Sequence, residues 1–127
     1  MKAPAHTAIR ILYVEDNDIV RELTCELLMQ ENREISAFAT AEEALLAFQS
    51  KEFDLVITDV SLPKMSGLDF VREVRRVRPG MAVIVATGYP LHSALKEWGD
   101  NVASISKPFE GRQIDALIAQ LMKTQGV

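Results

Sequence analysis

The sequence predicts an α/β fold: a doubly wound, five-stranded parallel sheet with helices on both faces. Short apolar runs rich in branched side chains, typical of strands buried on both faces, lie at 9–14, 55–57 and 81–86. Amphipathic stretches with a helical period follow them, and two weaker strand patterns bring the total to five alternations of strand and helix. This alternation calls for parallel strands joined by right-handed crossovers.

The composition is that of one ordinary globular domain. The chain has 127 residues, of which 48% are hydrophobic and 25% charged, enough to bury a core without a covalent staple. Its single cysteine, Cys25, argues against a disulfide framework and suits a reducing cytoplasm. The net charge of −4 argues against a nucleic-acid partner, and no apolar run approaches the ~18 residues of a membrane span. We expect a tail at 1–8, the domain at 9–124 and a short tail at 125–127.

The first strand pattern ends in a run of acidic and amide residues at 15–18. Asn17 or Asp18 can cap the helix that follows, because either side chain can accept a hydrogen bond from a free backbone N–H of the first turn. The apolar residues of that helix recur with a helical period, at Ile19, Val20, Leu23, Leu27 and Leu28.

The second strand and the next two helices carry local signals of their own. Alternation at 35–40 predicts a short strand near the sheet edge, and Thr40 with Glu43 forms a capping box for the second helix. After the central strand, Pro79 and Gly80 end a third helix. Its expected inward positions are Leu68, Val71, Val74 and Val77.

The last third of the chain repeats the alternation. The apolar run at 81–86 precedes a shorter helix predicted at 91–98, and a weak strand follows at 102–105. The final helix has the apolar stripe of a surface helix that packs on a core, at Ile114, Leu117, Ile118, Leu121 and Met122.

Polar side chains follow four of these strands. Glu15 and Asp16 follow the first, Asp59 the central one, Thr87 the fourth and Lys107 the last. Each residue taken alone also suits a turn, a helix cap or a solvated surface. Because the carboxyl ends of parallel strands meet at one edge of the sheet, we expect the set to gather in one crevice, where ligands bind in such folds.

The chemistry of this set favours a cation and a phosphoryl group. Three neighbouring carboxylates are costly unless they take up protons or bind a cation, and Mg²⁺ prefers such hard oxygen ligands. Asp59 can then attack phosphorus, while the Thr87 hydroxyl and the Lys107 ammonium stabilise the phosphoryl oxygens. A nucleotide or FMN site is the alternative in this fold, but the acidic run at 15–18 would repel its phosphate.

Four motifs surround these strand ends: YVED at 13–16, TDVSLPKMSG at 58–67, ATGY at 86–89 and SKPF at 106–109. In these motifs the chain resembles the receiver domain of two-component response regulators. The resemblance covers about 9–122, nearly the whole chain. It implies the CheY-like (flavodoxin-like) fold, with strand order 2-1-3-4-5 and five helices.

The resemblance also implies a set of roles. Asp59 would accept a phosphoryl group from a histidine of a partner kinase or a histidine phosphotransfer protein. Glu15, Asp16, Asp59 and the backbone carbonyl of Ser61 would hold Mg²⁺. Thr87 and Lys107 would contact the phosphoryl group.

The family further implies residues that modulate the response. The peptide bond between Lys107 and Pro108 would be cis, a form essentially confined to proline. Ser61 and Tyr89 lie at positions that help set the lifetime of the phosphoryl group. Ser104 stands where the family usually has an aromatic switch residue, so we hypothesise that Tyr89 replaces part of that switch, or that output runs through the helix at 91–98.

The expected output is a protein-interaction surface around the fourth strand, fourth helix and fifth strand, read by a downstream protein or by a phosphorylation-dependent dimer. We expect a cytoplasmic protein with no membrane partner, either a single-domain regulator or a receiver excised from a hybrid sensor kinase. A pseudo-receiver that binds partners without phosphorylation is the alternative, although its usual mark is loss of the aspartate or lysine. A haloacid dehalogenase-type phosphatase would need a second acid at Ser61.

Overall fold

The computed structural model describes residues 8–88, 99 and 101–125. One parallel sheet has the strand order β2-β1-β3-β4-β5. Its strands are β1 (Ile9–Val14), β2 (Arg33–Phe38), β3 (Leu55–Asp59), β4 (Ala82–Thr87) and β5 (Val102–Ser106). The predicted sheet and its order are thereby confirmed, with β2 at one edge.

Four helices lie in the described part of the chain. They are α1 (Asp18–Leu28), α2 (Ala41–Ser50), α3 (Gly67–Val77) and α4 (Gly111–Gln125). Five helices were expected, and the helix predicted at 91–98 lies outside the described residues. None of the described helices has the length and apolarity needed to cross a bilayer.

The sheet separates two apolar cores. Side chains of α2 and α3, among them Phe48 and Phe70, pack with Val56 on one face, while Leu28 of α1 and Ile114 of α4 lie in the core on the other. Every residue of β3 is buried, because this central strand has helices over both of its faces. The sheet therefore holds the end of β3 rigidly between two packed layers.

Local capping signals were predicted well. Asn17 caps α1, with its side-chain oxygen 2.9 Å from the N–H nitrogen of Val20, and Thr40 caps α2 in the predicted box with Glu43.

The prediction for Val77 was wrong: it is 42% exposed rather than inward, because α3 ends at this residue.

α1 leaves more large apolar side chains exposed than the other described helices do. Only Thr24 and Leu28 of this helix are buried. Its exposed apolar side chains are Ile19, Leu23 and Leu27. The apolar residues at 19–28 therefore lie on two faces of the helix, one that packs against the core and one that is exposed to solvent.

Candidate functional site

Three carboxylates meet where β1 and β3 end side by side. Glu15 directly follows β1 and Asp59 is the last residue of β3; they are only 3% and 6% exposed, whereas Asp16 is exposed. One oxygen from each of the three side chains lies within 4.8 Å of the other two. Such a cluster of hard oxygen donors is a suitable set of ligands for a divalent cation.

Lys107 brings a positive charge to this cluster from the end of β5. Its Nζ lies 3.1 Å from Oδ2 of Asp59 and 3.4 Å from Oε1 of Glu15. Its backbone N–H donates to the carbonyl of Thr87 over 2.8 Å, and the following bond to Pro108 is cis, as the family resemblance implied. The lysine therefore reaches across the end of β4 to the acidic group.

The electrostatics of the cluster follow from burial and charge. Burial raises the pKa of Glu15, and the Asp59 charge adds to that effect against the opposing N–H of Asn17 and the charge of Lys107. Burial opposes the charge of Lys107, but its hydrogen bond with Asp59 and the charges of Asp59 and Glu15 outweigh burial and raise the pKa of the ammonium. The site is therefore short of positive charge, even with Lys107 in place.

The loop after β3 is fixed by backbone contacts. The Ser61 N–H donates to Oδ1 of Asp59 over 3.3 Å, and the Gly67 N–H donates to the carbonyl of Val60 over 2.9 Å. A Cβ on Gly67 would overlap the carbonyl oxygen of Asp59, so this position has no room for any side chain. This close approach comes from tertiary packing, so the sequence pattern alone does not reveal it.

The other predicted site residues lie at different distances from this centre. Thr87 is buried as the last residue of β4, and its partner in the β5 register is Ser106. Ser61 is exposed, and Ser104 is half-buried within β5. Tyr89 lies outside the described residues.

Two features near the site, a hydrogen bond and a groove, were not expected from the sequence. The guanidinium of Arg21, on α1, donates to the backbone carbonyl of Glu15 over 2.8 Å. An apolar groove of about 390 Å³ runs from the site between α1 and the turn after β5. Its lining includes Val20, Leu23 and Leu27 on one side and Lys107, Pro108 and Phe109 on the other.

Comparison with known proteins identifies the family. The family model for the response regulator receiver domain matches residues 11–119. The two-component response regulator PhoP of Pseudomonas aeruginosa is 28% identical over 91% of this chain, and the sensor kinase CckA of Brucella abortus is 27% identical over 91%. The matches cover 52% of PhoP and 13% of CckA, so the chain spans about half or less of these relatives.

Solved structures agree with this assignment. A CheY-like receiver domain protein from Methanospirillum hungatei superposes with a TM-score of 0.85 at 30% identity, over 94% of this chain and 97% of that one. The response regulator TrrA of Thermotoga maritima, solved in complex with Mg²⁺ and BeF, has a TM-score of 0.80 at 34% identity, over 89% and 98%. The motifs, the sheet order and these matches agree, and the chain belongs to the response regulator receiver domain family of two-component systems.

Proposed function

We propose that this domain accepts a phosphoryl group on Asp59 and thereby switches a protein-interaction surface. The observation that carries the proposal is the Asp59 carboxylate at the end of the central strand, 3.1 Å from Nζ of Lys107 and beside two further carboxylates. A nucleophilic carboxylate needs a neighbouring positive charge to admit an anionic phosphoryl group. Lys107 supplies one such charge from within the chain.

Mg²⁺ is the cation that we propose for the acidic cluster. Glu15, Asp16 and Asp59 provide the hard oxygen ligands, and the backbone carbonyl of Ser61 is a further proposed ligand. When bound, the ion supplies positive charge that offsets the carboxylates and attracts the phosphoryl oxygens. The Mg²⁺ and BeF in the TrrA structure support this choice.

The reaction is transfer from a phosphohistidine. A carboxylate oxygen of Asp59 attacks phosphorus, an O–P bond forms and the P–N bond breaks, with its electron pair left on the imidazole nitrogen. The Lys107 ammonium and the Thr87 hydroxyl, both at the same end of the sheet, donate to the phosphoryl oxygens. Thr87 and Lys107 must shift to do so, and this shift biases the nearby surface of β4 and β5 toward a downstream protein.

The phosphodonor is a histidine kinase or a histidine phosphotransfer protein, as the match to a sensor kinase supports. We place its docking surface at the groove of α1, because Lys107 lines the groove and also contacts Asp59. An amphipathic helix of the donor suits this surface, with apolar residues against Leu23 and Leu27. Exposed Glu22 and Glu26 on the same helix favour basic residues at the edge of the donor's contact surface.

The test is intact mass after incubation with acetyl phosphate, with and without Mg²⁺, on the wild type and Asp59→Asn. We expect a Mg²⁺-dependent gain of one phosphoryl group that the variant does not show. No gain from acetyl phosphate or from any histidine donor would contradict the proposal. That result would favour a pseudo-receiver that binds partners without phosphorylation.

A further inference from the structure

Arg21 links the first turn of α1 to the acidic loop. Its Nη1 lies 2.8 Å from the carbonyl oxygen of Glu15, six residues earlier, and its Nη2 lies 2.7 Å from Oδ1 of Asp18. The Arg21 side chain is largely buried by its surroundings, whereas the Asp18 side chain is exposed. The contact with the Glu15 carbonyl is therefore the more protected of the two.

This carbonyl contact completes the fixation of Glu15. The backbone N–H of Glu15 donates to the Phe38 carbonyl over 3.0 Å, and its carboxylate accepts from the Asn17 N–H over 3.1 Å. Arg21 holds the remaining polar group of the residue, its C=O. That C=O belongs to the peptide bond between Glu15 and Asp16. Its orientation therefore also determines the position and direction of the Asp16 backbone.

We propose that Arg21 is a positioning residue for the cation site: it fixes the Glu15–Asp16 peptide so that both carboxylates face Asp59. The inference rests on the proposed Mg²⁺ site. Electrostatics alone would give Arg21 the opposite effect, because a positive charge close to a cation site weakens cation binding. The sign of the change on removing Arg21 therefore separates positioning from simple charge.

The chain offers a matched control. On α3, Arg72 makes the same i, i+3 ion pair with Asp69, with Nη1 2.8 Å from Oδ1. Arg72→Met removes the same charge from an exposed pair on a helix that packs against the opposite face of the sheet from α1. Asp18→Asn is a second control, because it weakens the exposed ion pair of Arg21 and leaves the contact with the Glu15 carbonyl available.

The experiment is titration with Mg²⁺ alone by calorimetry, on the wild type, Arg21→Met, Arg21→Lys, Asp18→Asn and Arg72→Met. We expect Arg21→Met to bind Mg²⁺ about tenfold more weakly, in the range seen when groups that orient metal ligands are removed. Arg21→Lys recovers part of the loss, since an ammonium can still donate to the carbonyl. Arg72→Met stays within about twofold of the wild type, and Asp18→Asn, which removes a negative charge near the cation site, weakens binding less than Arg21→Met does.

A second measurement uses the metal-free protein. Amide hydrogen exchange at residues 16–18 becomes faster in Arg21→Met and stays unchanged in Arg72→Met, while the core strands keep their protection in both. This readout shows loop release without global unfolding.

Two results would overturn the inference, and they differ in what else they affect. Equal or tighter Mg²⁺ binding by Arg21→Met, with a wild type that binds, would remove the positioning role and leave the proposed function intact. A wild type that binds no Mg²⁺ would remove the proposed cation site and this inference together.

Discussion

The Lys107 ammonium nitrogen lies 3.1 Å from Oδ2 of Asp59, although 48 positions separate the two residues and β4 lies between their strands. The same nitrogen lies 3.4 Å from Oε1 of the buried Glu15. Two carboxylates buried this closely repel each other, and the lysine offsets part of that repulsion. We therefore expect the pair that we propose for phosphoryl transfer also to stabilise the fold before any phosphoryl group is transferred.

Replacement of this lysine should cost stability in a pH-dependent way. We expect Lys107→Met to lower the free energy of unfolding at neutral pH by on the order of 1 kcal/mol, since 30% of the lysine side chain is exposed to solvent. The folded-state pKa of Lys107 is raised above its ordinary value of 10.5. The stabilisation is therefore complete below that value and disappears as the pH rises through the folded-state pKa.

Urea denaturation of the wild type and of Lys107→Met, at neutral and at strongly alkaline pH, measures the difference in their free energies of unfolding. Lys123→Met is the control, because Lys123 is exposed on the last helix, away from the acidic cluster. Equal unfolding free energies for the wild type and Lys107→Met at neutral pH would show that the buried carboxylates do not require the ammonium.

Affinity for Mg²⁺ should fall as the pH is lowered. The pKa of Glu15 is raised above the ordinary 4.5, mainly by burial, so protons compete with a cation at this carboxylate at higher pH than at an exposed glutamate. We expect calorimetric titrations at about pH 5 to give weaker Mg²⁺ binding than titrations at about pH 8. A flat profile over this range would mean that Glu15 stays ionised and that its pKa does not limit binding.

The raised pKa of Glu15 also predicts whether its charge stabilises or destabilises the metal-free protein. A carboxyl group with a raised folded-state pKa stabilises the protein below its unfolded-state pKa and loses that contribution as the pH rises through the folded-state value. Removal of the charge should therefore help the metal-free fold at neutral pH. We expect Glu15→Gln to unfold at the same or higher urea concentration than the wild type and to lose most Mg²⁺ affinity, whereas Glu34→Gln, on exposed β2 surface, changes neither.

Gly67 should tolerate no side chain. A Cβ there would overlap the Asp59 carbonyl oxygen, which is backbone and cannot rotate away. We expect Gly67→Ala to lower the free energy of unfolding by about 2 kcal/mol, the usual cost of forcing atoms into packed space, and to slow phosphorylation from acetyl phosphate. Gly80→Ala is the matched control, because a Cβ at Gly80 meets nothing within 4 Å. Similar stability of the two variants would mean that the loop after β3 moves aside at little cost.

Much of this architecture could be predicted because its signals are local or periodic. The buried strand at 55–57 and the caps at Asn17 and Thr40 need only neighbouring residues to be recognised. The gathering of Glu15 and Lys107 followed from one rule, that parallel strands end at the same edge.

The features that the sequence did not predict depend on tertiary contacts. Such contacts produce no periodic pattern in the sequence. The reach of Arg21 to the Glu15 carbonyl depends on how the chain turns between β1 and α1. The close approach at Gly67 depends on where α3 begins over the end of β3. The outward apolar face of α1 has the same helical period as a buried face, so sequence alone could not tell which of its residues meet the core.

The exposed apolar face of α1 should be required for phosphoryl transfer from a protein donor. Leu23 is 56% exposed and lines the groove that reaches Lys107, whereas Leu46 on α2 is 68% exposed and lies outside that groove. If a histidine donor docks on α1, Leu23→Ser should slow transfer from any donor that phosphorylates the wild type by about tenfold, the effect of truncating a central contact residue. Leu46→Ser should not. Acetyl phosphate needs no docking surface, so both variants should react with it at the wild-type rate, followed by intact mass. A Leu23→Ser protein as fast as the wild type with every protein donor would place docking elsewhere on the domain.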